Sequence, residues 1–321
     1  MKAIIFEKYG SAEVVKLKEV AKPAPKPKEV LIKVHSTAVN DYDWSIMRGK
    51  PYAYRLFFGL FSPKNTIPGM EVAGVVESVG EQVTHLKAGD RVFGDTSDFG
   101  FGTFAEYVCI DAKAFTHIPE GMSFDEATTL PHAALLAKQG LIDLGGLKEN
   151  QDILINGGGG GVGTIGLQIA KEYQATVAGV DTGEKLQTMR DLGFDEVIDY
   201  KQTDFTRTGK KYDLILDAKT SKSPFAYLRA LKPGGTYVTV GGKVSKFVQV
   251  LIFKALISLI YKKRVCLLGL NANKGLDYII DLYNRGKIKP LIDGPYPLSQ
   301  AAEAIQRFGE GKHHGKVVVN P

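Results

Sequence analysis

A chain of 321 residues with 44% hydrophobic and 24% charged content is too long for one core and too apolar for disorder, so two folded domains are expected. Its formal charge of +6 is spread along the sequence, with only short clusters such as Lys210-Lys211 and Lys262 to Arg264, which argues against a nucleic-acid-binding role. Cys109 and Cys266 lie far apart in apolar contexts and read as small buried hydrophobes in a reducing compartment, and the opening MKAIIFEKYG has too few apolar residues before Glu7 and Lys8 for a signal-peptide core, so a cytoplasmic location is expected.

Residues 1–123 read as β-rich. In EVLIKVHSTAV, Val30, Ile32 and Val34 alternate onto one face, and VAGVVESVG, DRVFGD and FAEYVCID follow as short strands broken by Gly and Asp. Over residues 124–270, strand and helix patterns alternate. QDILING is followed by the helix VGTIGLQIAKEY, the strand ATVAGVD and the helix EKLQTMRDLG, closed by Gly193; EVIDY, YDLILD, TYVTVGG and VCLLGL continue the series. This alternation predicts an α/β fold with a doubly wound parallel sheet of the Rossmann type. The apolar run Phe247 to Tyr261 is interrupted by Gln249 and Lys254 and is shorter than a bilayer requires, so it reads as an amphipathic helix, buried or facing a second subunit, with attachment to a membrane surface as the alternative. No transmembrane segment is expected, and a homodimer is. Residues 271–321 bring two helices, GLDYIIDLYNRGK and SQAAEAIQRF, and a last strand, GKVVVN. A lone strand is unstable, so this segment is expected to return to the first domain, leaving the alternating domain as an insertion.

The motif with the most chemistry is NGGGGGVG, in which Gly158, Gly160 and Gly163 satisfy G-x-G-x-x-G between a strand and a helix. Absent side chains let backbone approach a pyrophosphate, the helix starting at Gly161 and Val162 presents N–H groups and a positive dipole end, and Gly163 permits close helix–strand packing. Asp181 ends the next strand, where a carboxylate can accept the ribose hydroxyls of NADH; Lys185, a turn later, is placed to meet the 2′-phosphate of NADPH. A helix-capping role for Asp181 is the plain alternative.

With these motifs in view, the chain resembles the quinone oxidoreductase branch of the medium-chain dehydrogenase/reductase superfamily. The likeness runs through AVNDYD, IPGMEVAGVVESVG, LKAGDRVFG, GTFAEYV, LPHAALLAKQGL, the glycine loop, LGFDEVIDY and LKPGGTYVTVGG. It implies a GroES-like catalytic domain holding the first and last parts of the chain around the Rossmann domain. In the alcohol-dehydrogenase branch a Cys, the His of G-H-E and a Cys or His bind zinc; here Asn40 and Met70 stand at the first two positions and His132 falls near the third, which implies chemistry without a metal. A conjugated carbonyl or quinone then suits the site, since hydride delivery leaves an enolate or phenolate that ordinary hydrogen-bond donors can support.

The same resemblance proposes the site. Asn40 offers its amide to the substrate oxygen, unless it only caps a turn, Asp43 braces it, and Tyr52, with Tyr42 and Tyr54, offers phenolic donors beside an aromatic tract at 51–61. On the cofactor side it adds Leu136, Asp217 with Ala218, Gly241 with Gly242, and the Leu270-Asn271 loop. Lys316 matches a terminal motif but reads equally as surface, and His313 with His314 as solvated. The expected activity is NADPH- or NADH-dependent reduction of quinones or enones, against two alternatives: a zinc-independent alcohol or aldehyde reductase, and a non-catalytic dinucleotide sensor.

Overall fold

Short β-branched runs punctuated by glycine build the first unit, which comprises Met1–His132, Ala272–Lys274 and Ile292–Pro321 in a computed structural model describing residues 1–321. β1 (Lys2–Ile5) and β2 (Lys16–Glu19) pair antiparallel. β3 (Glu29–Ala38) follows, then α1 (Asp41–Arg48), the single turn α2 (Arg55–Phe58), β4 (Glu71–Val79), β5 (Arg91–Asp95), β6 (Tyr107–Asp111), β7 (Thr116–His117) and α3 (Phe124–Thr129). The alternating face of β3 is buried as expected: Val30, Ile32 and Val34 pack with Val72, Val76, Val92 and Val108. α1 is bounded by chemistry legible in its sequence, a capping box between Asn40 and Asp43 at its start and Gly49 in the left-handed region (φ 57°) at its end.

The second unit comprises Ala133–Asn271 and Gly275–Leu291. It opens with α4 (Ala133–Lys138), which runs into a π-helical turn, Gln139–Leu144. β8 (Asp152–Asn156), α5 (Gly161–Glu172), β9 (Thr176–Asp181), α6 (Lys185–Leu192), β10 (Glu196–Asp199), β11 (Tyr212–Asp217), α7 (Pro224–Leu228), β12 (Leu231–Thr239), α8 (Val244–Tyr261), β13 (Arg264–Leu267) and α9 (Leu276–Asn284) complete it. All six strands are parallel, in the order β10-β9-β8-β11-β12-β13. This is the doubly wound arrangement, and its order reverses between β8 and β11, where ligands bind in such sheets.

The chain then re-enters the first unit through β14 (Ile292–Pro297), α10 (Ala301–Gly309) and β15 (Lys316–Asn320). β15 pairs antiparallel with β3, giving a sheet ordered β14-β15-β3-β4-β5-β7 with β6 also on β3. Val317 and Val319 of β15 pack with Ile46, Met47, Leu298 and Ile305, so the two ends of the chain share one core.

Several expectations shift. α3 packs on β3 and β4, so the first unit runs to His132 rather than 123, while α9 belongs to the second unit rather than the returning segment. His313 is not solvated: it is buried, its ring stacked on Phe308 with centroids 4.6 Å apart, because α10 places Phe308 directly under the turn into β15. Both cysteines are half-buried and unpaired by disulfide, not core residues. α8 departs furthest. By length and composition it is apolar enough to cross a membrane, and of its 18 residues only Val250 and Ile257 are buried, so it is neither a buried helix nor clearly two-faced.

One glycine of the phosphate motif is fixed by packing alone. A Cβ on Gly163 would overlap the Gly157 carbonyl oxygen and the Gly158 Cα, both backbone atoms with no room to move. Gly163→Ala is therefore expected to cost about 1–3 kcal/mol, read from urea unfolding followed by circular dichroism; an unchanged midpoint would contradict the packing argument.

Candidate active site

In the second unit, strand ends and glycines build an anion cradle. β8 stops at Asn156, the chain turns through Gly157 at φ +88°, and α5 begins with Gly160 as its N-cap. The first intrahelical bond runs from Thr164 N–H to the Gly160 carbonyl at 2.9 Å, so the N–H groups of Gly161, Val162 and Gly163 precede any helical acceptor and point outward with the positive end of the helix dipole. Side chains have little room in this loop: a Cβ on Gly158 would meet the buried Met189, and one on Gly159 the stem of Lys185. The geometry fits a pyrophosphate.

The second strand end is arranged around it. Asp181 is nearly buried; its Oδ2 accepts Gly159 N–H at 3.0 Å and its Oδ1 accepts Thr182 N–H at 3.0 Å. The buried Lys185 ammonium stands 3.9 Å from the same carboxylate. A carboxylate and an ammonium thus share the edge of the cradle, one suited to ribose hydroxyls and the other to a phosphate. Gly241 follows β12, where its carbonyl accepts Thr220 N–H at 2.9 Å and a side chain would press on the Ala218 carbonyl. Beyond β13, both amide atoms of Gln139 clamp the Asn271 backbone, Nε2 donating to its carbonyl at 2.9 Å and Oε1 accepting its N–H at 3.1 Å. Leu270 and Asn271 are thereby held at the same carboxyl-end edge of the sheet as the cradle.

Asp217 does not face a ligand. It is fully buried and accepts from Asn156 Nδ2 at 2.7 Å, Tyr237 Oη at 2.9 Å and Lys219 N–H at 3.0 Å, a set of inward donors that pins the ends of β8, β11 and β12 together. Burial pushes its carboxyl above the ordinary range despite these donors. Its place beside the cofactor loop is structural.

In the first unit, Asn40, which the resemblance sets at a zinc-ligand position of the alcohol-dehydrogenase branch, belongs to a closed polar network. Asn40 is 3% exposed. Its Nδ2 donates to Glu71 Oε2 at 2.8 Å and to the Ala38 carbonyl at 3.3 Å, while its Oδ1 accepts from Lys316 Nζ at 2.5 Å. Lys316 also lies 2.5 Å from Glu71 Oε2, and the other Glu71 oxygen accepts His132 N–H at 2.7 Å. Asp43 closes the network from below, with Oδ2 accepting Asn40 N–H at 2.8 Å and Oδ1 accepting Gly69 N–H at 2.7 Å. Met70 is buried. No three His, Cys, Asp or Glu side chains converge as a metal site would require.

This geometry corrects the expected role of Asn40: both N–H bonds and its oxygen are spent inside the protein, so it caps α1 and seats Lys316 instead of reaching for a substrate. Tyr52 is corrected too. It is 67% exposed and its ring takes the Arg55 guanidinium, whereas Tyr42 stands edge-on to His132 with centroids 6.4 Å apart. Tyr42, Tyr54, Phe58 and Phe101 form one aromatic cluster, part of the predicted wall, while Phe57 and Phe61 of the same tract face outward. Glu71, Asp95, His132 and Lys316 carry the network, yet only Lys316 and His132 drew notice in the sequence. The signal for Glu71 was present in PGMEVAG, where a lone carboxylate sits in an apolar strand and needs a partner. His132 Nδ1 lies 2.7 Å from Asp95 Oδ2. Burial raises the Asp95 carboxyl, but the bond and charge of His132 and the Ser97 donors outweigh it and hold it below the usual range.

Two outcomes follow. Removing one partner of a buried pair strands the other, so Lys316→Met is expected to cost about 3–5 kcal/mol and the Glu71→Gln/Lys316→Met double variant much less; equal losses would show that the pair is not the unit of stability. Burial pushes the Asp43 carboxyl up to about 6 against its N–H donors, from an ordinary 3.8. Between these values the folded state holds a proton the unfolded chain lacks, so this group's contribution to stability grows as pH falls from about 6 to about 4, by up to about 3 kcal/mol. The difference in unfolding free energy between wild type and Asp43→Asn should rise toward acid; a flat difference would refute the shift.

Comparison with known proteins agrees with this architecture. Residues 26–120 match the family model of the alcohol dehydrogenase GroES-like domain and residues 192–319 that of the zinc-binding dehydrogenase. A 2-methylene-furan-3-one reductase of Solanum lycopersicum is 34% identical over 336 residues, spanning 100% of this chain and 79% of that protein. The chloroplastic NADPH-dependent alkenal/one oxidoreductase of Arabidopsis thaliana is 34% identical over 338 residues, spanning 100% and 80%. The solved quinone oxidoreductase of Coxiella burnetii superposes with a TM-score of 0.86 at 28% identity, covering 100% of this chain and 99% of that one. With both domain types matched and relatives aligned over the whole of it, the chain belongs to the medium-chain dehydrogenase/reductase superfamily, in its quinone oxidoreductase branch.

Proposed function

We propose that this protein is an NAD(P)H-dependent oxidoreductase that reduces quinones or small α,β-unsaturated carbonyls without zinc. The observation that carries the reading is the Lys316 ammonium seated on Glu71 and Asn40: a cation already occupies the charge balance a metal would have to enter, and the amide of Asn40 and the thioether of Met70 are poor zinc donors. The names of the relatives, an alkenal/one oxidoreductase and a quinone oxidoreductase among them, support the acceptor class.

The bound nicotinamide supplies a hydride. The N–H groups of Gly161 to Gly163 would hold the dinucleotide's pyrophosphate and Asp181 and Lys185 its adenosine ribose, while the Gln139 clamp fixes Leu270 and Asn271 at the same sheet edge. In the first unit, Tyr42, Tyr54, Phe58 and Phe101 form a flat apolar surface suited to a conjugated acceptor. Burial, with the Asp95 and Asp98 charges, raises the Tyr42 phenol above its usual range, so it stays protonated and able to donate at neutral pH. Asp43 acts as a brace for Asn40, not as an acid. A homodimer in the cytoplasm completes the reading, supported by β13 as an unpaired edge of the six-stranded sheet and by two thiols that form no disulfide.

Purified protein with NADPH or NADH and a panel of quinones, enones and saturated aldehydes tests the proposal. Loss of reduced-nicotinamide absorbance is expected with the conjugated acceptors, undiminished by a metal chelator. No turnover with any acceptor, or saturated aldehydes reduced as fast as enones, would overturn it.

A further inference from the structure

α8 presents an apolar surface that the fold does not need. Val248, Ile252, Ala255 and Leu259 fall at i, i+4, i+7 and i+11, one stripe of the helix, and this stripe faces solvent: Ile252 is 64% exposed and Leu259 80%, flanked by exposed Leu251, Leu256 and Ile260. The buried side holds Val250 and Ile257, with Phe253 packed on Phe225. An uninterrupted apolar stripe of this length is costly in water and marks an interaction surface.

Its surroundings carry one sign of charge. From Ala218 to Leu276 there is no Asp or Glu, while eleven Lys and Arg occur. Outside that stretch the acids outnumber the bases; Lys222 and Lys232 are answered by Asp204, Asp152 and Asp213 from beyond it, while the lysines of α8 itself are not. Lys243 and Lys246 stand at the start of α8, Lys254 on its middle and Lys262 just past its end, and none of the four makes an ion pair. Lysines in the first turn oppose the helix dipole and no acid offsets them, so their presence is unfavourable for the isolated helix and calls for an external anion.

The helix cannot cross a bilayer. It is the crossover between β12 and β13, neighbours in register from Thr236–Arg264 to Thr239–Leu267, and spanning would pull one strand from the sheet. It can lie flat. A second copy on this face would bring the same lysines together with no carboxylate among residues 218–276 to answer them, whereas the phosphates of an anionic bilayer answer all of them.

We propose that α8 is an in-plane docking helix for an anionic membrane surface, its Val248–Ile252–Ala255–Leu259 stripe entering the headgroup–acyl boundary and Lys243, Lys246, Lys254 and Lys262 meeting lipid phosphates. If the acceptors are quinones or enones, as proposed above, docking brings the enzyme to the phase in which apolar members of those classes dissolve.

Flotation of the purified protein with phosphatidylcholine vesicles, with or without phosphatidylglycerol, tests this independently of turnover. Flotation with the anionic vesicles alone, reversed by salt, is expected. Ile252→Glu/Leu259→Glu should lower the partition coefficient by at least about tenfold, and Lys254→Gln/Lys262→Gln by roughly tenfold or more, with NADPH binding by calorimetry unchanged in the lysine variant, whose surface positions leave folding intact. No flotation, or equal flotation with neutral vesicles, would overturn the proposal. So would a dimer in sedimentation that dissociates on Ile252→Glu, which would assign the face to a second copy; a dimer that survives that substitution, as one through β13 would, agrees with it.

Discussion

A carboxylate removed from water needs donors or a cation at contact distance, and in the first unit Glu71 meets that need with a partner from almost the other end of the chain. Glu71 opens β4; Lys316 opens β15, the last strand. Taking both charges out of water costs several kcal/mol per ion, repaid only when every remaining lone pair and proton finds a partner. Here they do: Asn40 bridges the pair, His132 N–H takes the second Glu71 oxygen, and Asp43 holds the Asn40 backbone. The start of α1, the start of β4, the loop at His132 and the returning strand are thus registered on one ion pair.

The second unit solves a different problem, the presentation of unpaired backbone N–H groups at one point. Parallel strands end on a common edge, and the side chains there bond inward. Asp217 ties β8 to β11 and β12, and Gln139, from a π-helical turn of the kind that often accompanies functional sites, ties the segment after β13. With the edge held rigid, the glycines can leave their amides exposed at little further conformational cost.

Local pattern made much of this legible. The alternation of β3, the βα series, the glycine turn and the cap of α1 are written in adjacent residues, and each folded as its own chemistry dictates. What was not legible depends on distant partners. Lys316 read equally as surface because nothing near it in sequence reveals Glu71; His313 looked solvated because the ring beneath it arrives from α10; Asp217 looked ligand-facing because the tyrosine that claims it lies on β12. How little of α8 is buried was illegible for the opposite reason. Its composition suggests burial, and only the placement of β12 and β13 shows that the sheet has room for one side of it. For Asn40 both a substrate-facing and a turn-capping role were open from the sequence, and the observed bonds match the second, since a side-chain amide's orientation is decided by which charges surround it.

The Lys316 ammonium seated on Glu71 and Asn40 also decides what a metal site here would require. Supplying a thiolate at position 40 and an imidazole at position 70 would place two donors beside a resident positive charge that repels any dication, and removing that charge first would leave Glu71 stranded in a dry interior. Each single step toward a metal site at these positions therefore passes through a less stable protein, because it must first strand one member of a buried ion pair.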